Sequence, residues 1–123
     1  MIRELIAVGI GGAAGSAARY AISCWMLAGH TLLGFPAGTF AVNAAGSLLI
    51  GILLESLSSA AAGWLLVTGF CGGFTTFSTF SADAVRLLRG GDYGPAAAYI
   101  VLSAAVCIAF AALGMWIGHL SRN

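Results

Sequence analysis

Four stretches of the chain place donors, small residues or aromatic rings at helical spacing. Residues 38–51 read GTFAVNAAGSLLIG, and Thr39, Asn43 and Ser47 recur there at i, i+4, i+8. That spacing puts them on one helix face. Asn43 can donate two hydrogen bonds and accept at its carbonyl. Such a face either joins helices by polar contacts or forms one wall of a polar path. Residues 69–81 read GFCGGFTTFSTFS, with Phe74, Phe77 and Phe80 stepping by three and Ser78 and Thr79 between the last two. Phe70 and Phe74 read as packing. Phe77 and Phe80 could do more, because an aromatic edge is electropositive and would solvate a small anion without trapping it. Tyr99, Ser103 and Cys107 repeat the i, i+4, i+8 pattern. Residues 11–20, GGAAGSAARY, set Gly11, Gly15 and Arg19 on one face. Small residues there suit close helix approach.

These residues need helices to hold them, and the composition says what surrounds those helices. Of 123 residues 60% are apolar and 7% charged, against about 25% charged in soluble domains. A membrane span needs about 20 apolar residues. Four runs qualify, over residues 5–28, 36–54, 60–82 and 95–118. Pro36 and Pro95 suit the first turn of a helix. The predicted fold is an all-α membrane domain of four spans over 1–123, with short links. Continuous rather than alternating runs argue against a barrel. The third helix could extend through Arg89 as a polar exit.

Within these spans Gly72-Gly73 and then Thr75-Thr76 lower helix propensity in mid-span. A break there requires protein or water to satisfy the freed backbone groups, and such breaks aim carbonyls at cations and N–H groups at anions. Arg19 stands about 14 residues into its span, near or past mid-depth at about 1.5 Å per residue. It either snorkels to the far interface or faces water, where it would attract anions. No acid falls at comparable depth in the four runs, since Glu4, Glu55 and Asp83 mark their ends. Donor-bearing faces, a buried arginine and no buried acid favour an anion as the permeant species. Charges flanking the spans divide evenly, with Arg3 and Arg122 on one side and Arg86 and Arg89 on the other. By the positive-inside rule this leaves either weak orientation or dual topology, with the chain inserting both ways and pairing as an antiparallel dimer.

Other classes fit poorly. A net charge of +1 gives no basic face for nucleic acid. Cys24, Cys71 and Cys107 lack the spacing of a zinc site or a disulfide framework. The first apolar run is longer than the h-region of a cleavable signal. His30 and His119 fall at opposite faces, and neither stands beside a nucleophile and an orienting acid, so an enzyme is not expected.

The three blocks GGAAGSAARY, GTFAVNAAGSLLIG and GFCGGFTTFSTFS resemble the Fluc (CrcB) fluoride channel family over nearly the whole chain. The resemblance implies a dual-topology antiparallel homodimer in the cytoplasmic (inner) membrane, with two fluoride pores. It implies a central structural sodium ion (Na+) held by backbone carbonyls, by position those of Gly72 and Thr75. Phe77 and Phe80 match the family's pore phenylalanines, Asn43 its pore asparagine and Arg19 its vestibule arginine. Ser78 and Thr79 fall inside the matching motif. Tyr99, Ser103 and Cys107 align with its polar track, Cys107 standing where a serine or threonine is expected. The implied activity is passive fluoride export. Fluoride enters as the neutral acid, is trapped as the anion, and leaves down the membrane potential.

Two rivals share the four-span plan. A small multidrug-type proton-coupled transporter needs a carboxylate inside the membrane, and none is expected here. A non-transporting assembly subunit would use the small residues but leaves the third block unexplained.

Overall fold

Hydrocarbon offers backbone groups no partners, so a chain of long apolar runs folds as helices that satisfy themselves. The computed structural model describes residues 1–122. Four helical stretches in it are long and apolar enough to cross a membrane: Ile2–Met26, Ala37–Ser56, Ala60–Arg89 and Tyr93–Arg122. The chain is a multi-pass membrane protein.

Helix α1 (Ile2–Tyr20) continues through wider, π-type turns over Ala21–Met26. Helix α2 is Ala37–Ser56. Helix α3 (residues 60–74) starts at Ser59, whose hydroxyl accepts from the N–H of Ala62. It winds as a π-type helix over Gly63–Cys71 and closes with Gly72–Phe74. Helix α4 is Phe77–Arg89 and helix α5 is Tyr93–Arg122.

The helix ends differ from the apolar limits read in the sequence. Most run beyond them, since polar residues can continue a helix past the apolar run. The third stretch carries on from residue 82 through Asp83 and Arg86 to Arg89. The first ends earlier, where Leu27 leaves helical geometry. Pro36 stands just before α2 with extended ψ rather than inside its first turn. The first link also contains a short antiparallel ladder, β1 (Thr31–Leu32) with β2 (Phe35–Pro36), which the all-helical expectation lacks. Its turn puts Leu33 at φ 51° and Gly34 at φ 86°, the positive pair that a tight hairpin requires. The turn delivers Phe35, fully buried, onto Tyr99 at a centroid distance of 4.9 Å.

Helices approach closely where glycine removes the side chain. A Cβ on Gly15 of α1 would overlap the Phe70 carbonyl of α3, and one on Gly114 of α5 would overlap the Leu48 carbonyl of α2. The outer faces carry exposed Ile10, Val101, Ile108 and Trp116, as lipid contact requires.

Candidate functional site

Between α3 and α4 the backbone leaves the helix for two residues. Thr75 (φ −85°, ψ 155°) and Thr76 (φ −149°, ψ 111°) are extended. Their polar groups find side chains instead of the next turn. The Asn43 amide nitrogen donates to the Thr76 carbonyl at 3.1 Å, and the Thr76 N–H donates to Asn43 Oδ1 at 2.7 Å. One side chain on α2 thus satisfies both ends of one residue on the neighbouring span. Thr76 then starts α4, its Oγ1 accepting from the Thr79 N–H at 3.1 Å. This is N-cap chemistry.

Two carbonyls lose their usual donors as a result. In a continuous helix the N–H of Thr76 would serve Gly72, and that of Thr79 would serve Thr75. Here both turn to side-chain oxygens. The Gly72 and Thr75 oxygens are the pair that the family resemblance implicates in sodium binding. Bare carbonyls suit a hard cation, so the residues present fit that ion. Among the described residues, no three His, Cys, Asp or Glu side chains gather as an alternative metal site. The Gly73 carbonyl is taken by Arg19, whose Nε donates to it at 3.1 Å.

Two hollows flank the two-residue step. The larger is a groove of about 840 Å³ between α2, α3, α4 and α5. Asn43, Gly72, Thr75, Phe77, Phe80, Ser103 and Cys107 all line it. The Phe77 ring is 79% exposed and lies 5.6 Å from the Phe80 ring. Ser103 is buried, and its Oγ has no hydrogen-bond partner. The second hollow, about 460 Å³, is lined by Arg19, His30, Thr79, Asp83 and Arg86. Thr76 lines both hollows.

Asp83 corrects one reading of the sequence. It is a buried acid, where none was expected, because α4 carries it past the end of the apolar run and under the first link. Arg86 donates to its Oδ1 at 3.0 Å. Thr39 and Tyr99 each donate to its Oδ2 at 3.0 Å. Three donors from three helices hold the carboxylate, and a buried charge requires such partners.

The structure therefore divides the residues singled out in the sequence. Tyr99 is fully buried with its hydroxyl turned to Asp83, and its ring packs on Phe80 at 4.9 Å. It lines neither hollow, while Ser103 and Cys107 from the same helix face line the groove. Ser78 is exposed beside Thr76, with 3.3 Å between their hydroxyl oxygens. Thr39 serves Asp83, whereas Ser47 donates back to the Asn43 carbonyl at 2.7 Å. Phe70 and Phe74 stack on each other with centroids 5.6 Å apart. Sequence reasoning missed Asp83 and the double exposure of Thr76. The available signal was the spacing of Thr76, Thr79 and Asp83, which recur at helical intervals from the N-cap of α4 onward.

Comparison with known proteins places this architecture. The family model described as "CrcB-like protein, Camphor Resistance (CrcB)" matches residues 6–115. A relative from Syntrophotalea carbinolica is 46% identical over 123 residues, which cover 94% of this chain and 98% of that protein. One from Coxiella burnetii (strain Dugway 5J108-111) is 46% identical over 124 residues, with the same coverage of 94% and 98%. One from Agrobacterium fabrum is 47% identical over 119 residues, covering 91% and 93%. Each of these relatives is named fluoride-specific ion channel FluC. With a family match over most of its length and relatives this similar end to end, the chain belongs to the CrcB (Fluc) family.

Proposed function

We propose that this protein is a fluoride-selective ion channel that exports fluoride passively. The observation that carries the reading is the groove beside the α3–α4 step. It is lined by two phenyl rings together with Asn43, Ser103 and Cys107. Fluoride is small and strongly hydrated, so a path must replace its water with donors. It must also avoid binding so strong that the ion stays. Ring edges and hydroxyls meet both conditions. The N-terminus of α4 opens at the same place and adds partial positive charge. Arg19 and Arg86 line the second hollow and draw anions toward it, with Asp83 limiting the net field. The names of the relatives supply the ion.

In this reading two copies insert in opposite orientations and pair, the third span of each broken in mid-membrane, with two pores per homodimer. The Gly72 and Thr75 carbonyls of both copies would hold a central sodium ion, which supplies positive charge where bare carbonyls meet. No pump is needed, since a membrane potential contributes about 2.3 kcal/mol per charge per 100 mV. The buried Asp83 supplies the one ingredient of a proton-coupled transporter. Both of its oxygens, however, already accept hydrogen bonds from Thr39, Tyr99 and Arg86, and it does not line the groove.

The purified protein in liposomes should release fluoride rapidly under a potassium–valinomycin potential and release chloride far more slowly. Equal rates for the two anions would reject selectivity. Fluoride movement that requires a pH gradient would favour the proton-coupled alternative.

A further inference from the structure

We propose that Arg19 is a positioning residue for the sodium-binding carbonyls, acting through its hold on the Gly73 oxygen. The inference rests on the sodium reading given above.

The step between α3 and α4 frees four successive carbonyls, those of residues 72–75. In a continuous helix they would meet the N–H groups of residues 76–79, and no such bond is present among the described residues. Arg19 settles one of the four, its Nε donating to the Gly73 oxygen at 3.1 Å. The arginine comes from the face of α1 that already lies against α3. Gly11 and Gly15 precede it on that face, and an added Cβ on either would overlap α3 backbone.

What the bond fixes follows from peptide geometry. The Gly72 and Gly73 carbonyls belong to adjacent rigid peptide units joined at the Gly73 Cα. Only φ and ψ of Gly73 set one oxygen relative to the other, and glycine leaves both angles unusually free. Gly72 itself is exposed, with nothing within 4 Å of an added Cβ. Local packing at Gly72 therefore does not aim its carbonyl. Gly73 is held from α1 instead. A Cβ there would lie 2.6 Å from the Gly12 oxygen and 3.0 Å from Ser16 Oγ. Arg19 completes that hold at the oxygen. Groups that orient a metal's ligands change its affinity by about tenfold or more.

Charge acts in the opposite direction, since a guanidinium repels a nearby cation. Placement weakens that effect. Arg19 borders the second hollow, whereas Gly72 and Thr75 border the groove.

Wild type, Arg19→Ala, Arg19→Gln, Arg19→Lys and, as a control, Gly114→Ala are purified in sodium and desalted into sodium-free N-methylglucamine buffer. Flame emission follows the sodium each protein retains, and thermal unfolding is read against added sodium. Arg19→Ala should lose its sodium about tenfold faster than wild type. It should also need about tenfold more sodium for the same gain in unfolding temperature. Arg19→Gln and Arg19→Lys, which can still donate to the Gly73 oxygen, should fall between the two. They carry the comparison with wild type should the alanine form fail to fold. Gly114→Ala, overpacked between α2 and α5, should unfold at lower temperature with a wild-type sodium response. Wild-type retention and response in the Arg19 variants would overturn the proposal and leave the sodium reading standing. Tighter sodium in Arg19→Ala and Arg19→Gln would overturn it in favour of charge repulsion. A wild type that neither retains sodium nor responds to it would remove the sodium reading, and this proposal with it.

Discussion

Asn43 shows how one side chain can make a two-residue departure from helix tolerable. Its amide carries a donor and an acceptor side by side, and they meet the carbonyl and the N–H of the extended Thr76 together. Replacing Asn43 with alanine removes the protein partner of both part-buried groups, at about 1 kcal/mol for each hydrogen bond lost. Asn43→Ala should unfold in detergent at clearly lower temperature than wild type and should conduct poorly. Asn43→Asp keeps the acceptor for the N–H but cannot donate to the carbonyl when ionised, so its loss should be intermediate in thermal unfolding. Equal stability of all three proteins would show the contact to be dispensable. Asp83 illustrates the opposite case, a charge whose three donors come from α2, α4 and α5.

At the scale of elements, the spans were legible because length and hydropathy suffice to define them. The site was legible only where one helix face carries it. Spacing could set Asn43 on one face of α2 and Ser103 with Cys107 on one face of α5, without bringing the two faces together. Asp83 could not, since its partners Thr39 and Tyr99 reach it from other helices. The step in the third span was expected from Gly72-Gly73 as well as from the threonines. The structure keeps both glycines helical and puts the extended residues at Thr75 and Thr76. The reason lies in packing. A Cβ on Gly73 would fall 2.6 Å from the Gly12 carbonyl, so this glycine serves the contact with α1 rather than a bend. The same logic gives a prediction for Gly15. Gly15→Ala should cost about 1–3 kcal/mol through overpacking and lower the yield of folded protein on size-exclusion chromatography. Gly63→Ala, where an added Cβ meets nothing within 4 Å, should be neutral in the same assay. Equal behaviour of the two would reject close α1–α3 packing as the role of Gly15.

For the whole molecule the decisive quantity is the balance of arginines. Two of them, Arg86 and Arg89, lie in the last turn of α4, opposed by Arg3 and Arg122 at the chain's two ends. With orientation set by so few charges, a small addition should tip it. A C-terminal tag should be reachable from both sides of the membrane in the unmodified protein. Two arginines added beside Arg122 should confine the tag to the cytoplasmic side and reduce fluoride flux sharply, because oppositely oriented copies are lost. Co-expression with a form carrying extra arginines near Arg89 should restore it. Single-sided labelling of the unmodified chain would remove dual topology.

Thr76 has a consequence of its own. It is a party wall, with the aromatic groove on one side and the arginine-lined hollow on the other. Its peptide is pinned by Asn43, and its hydroxyl anchors the first turn of α4. A change at this residue is therefore felt in both chambers at once. In the proposed channel, a substitution here would alter the handling of an anion beside the arginines and beside the rings together.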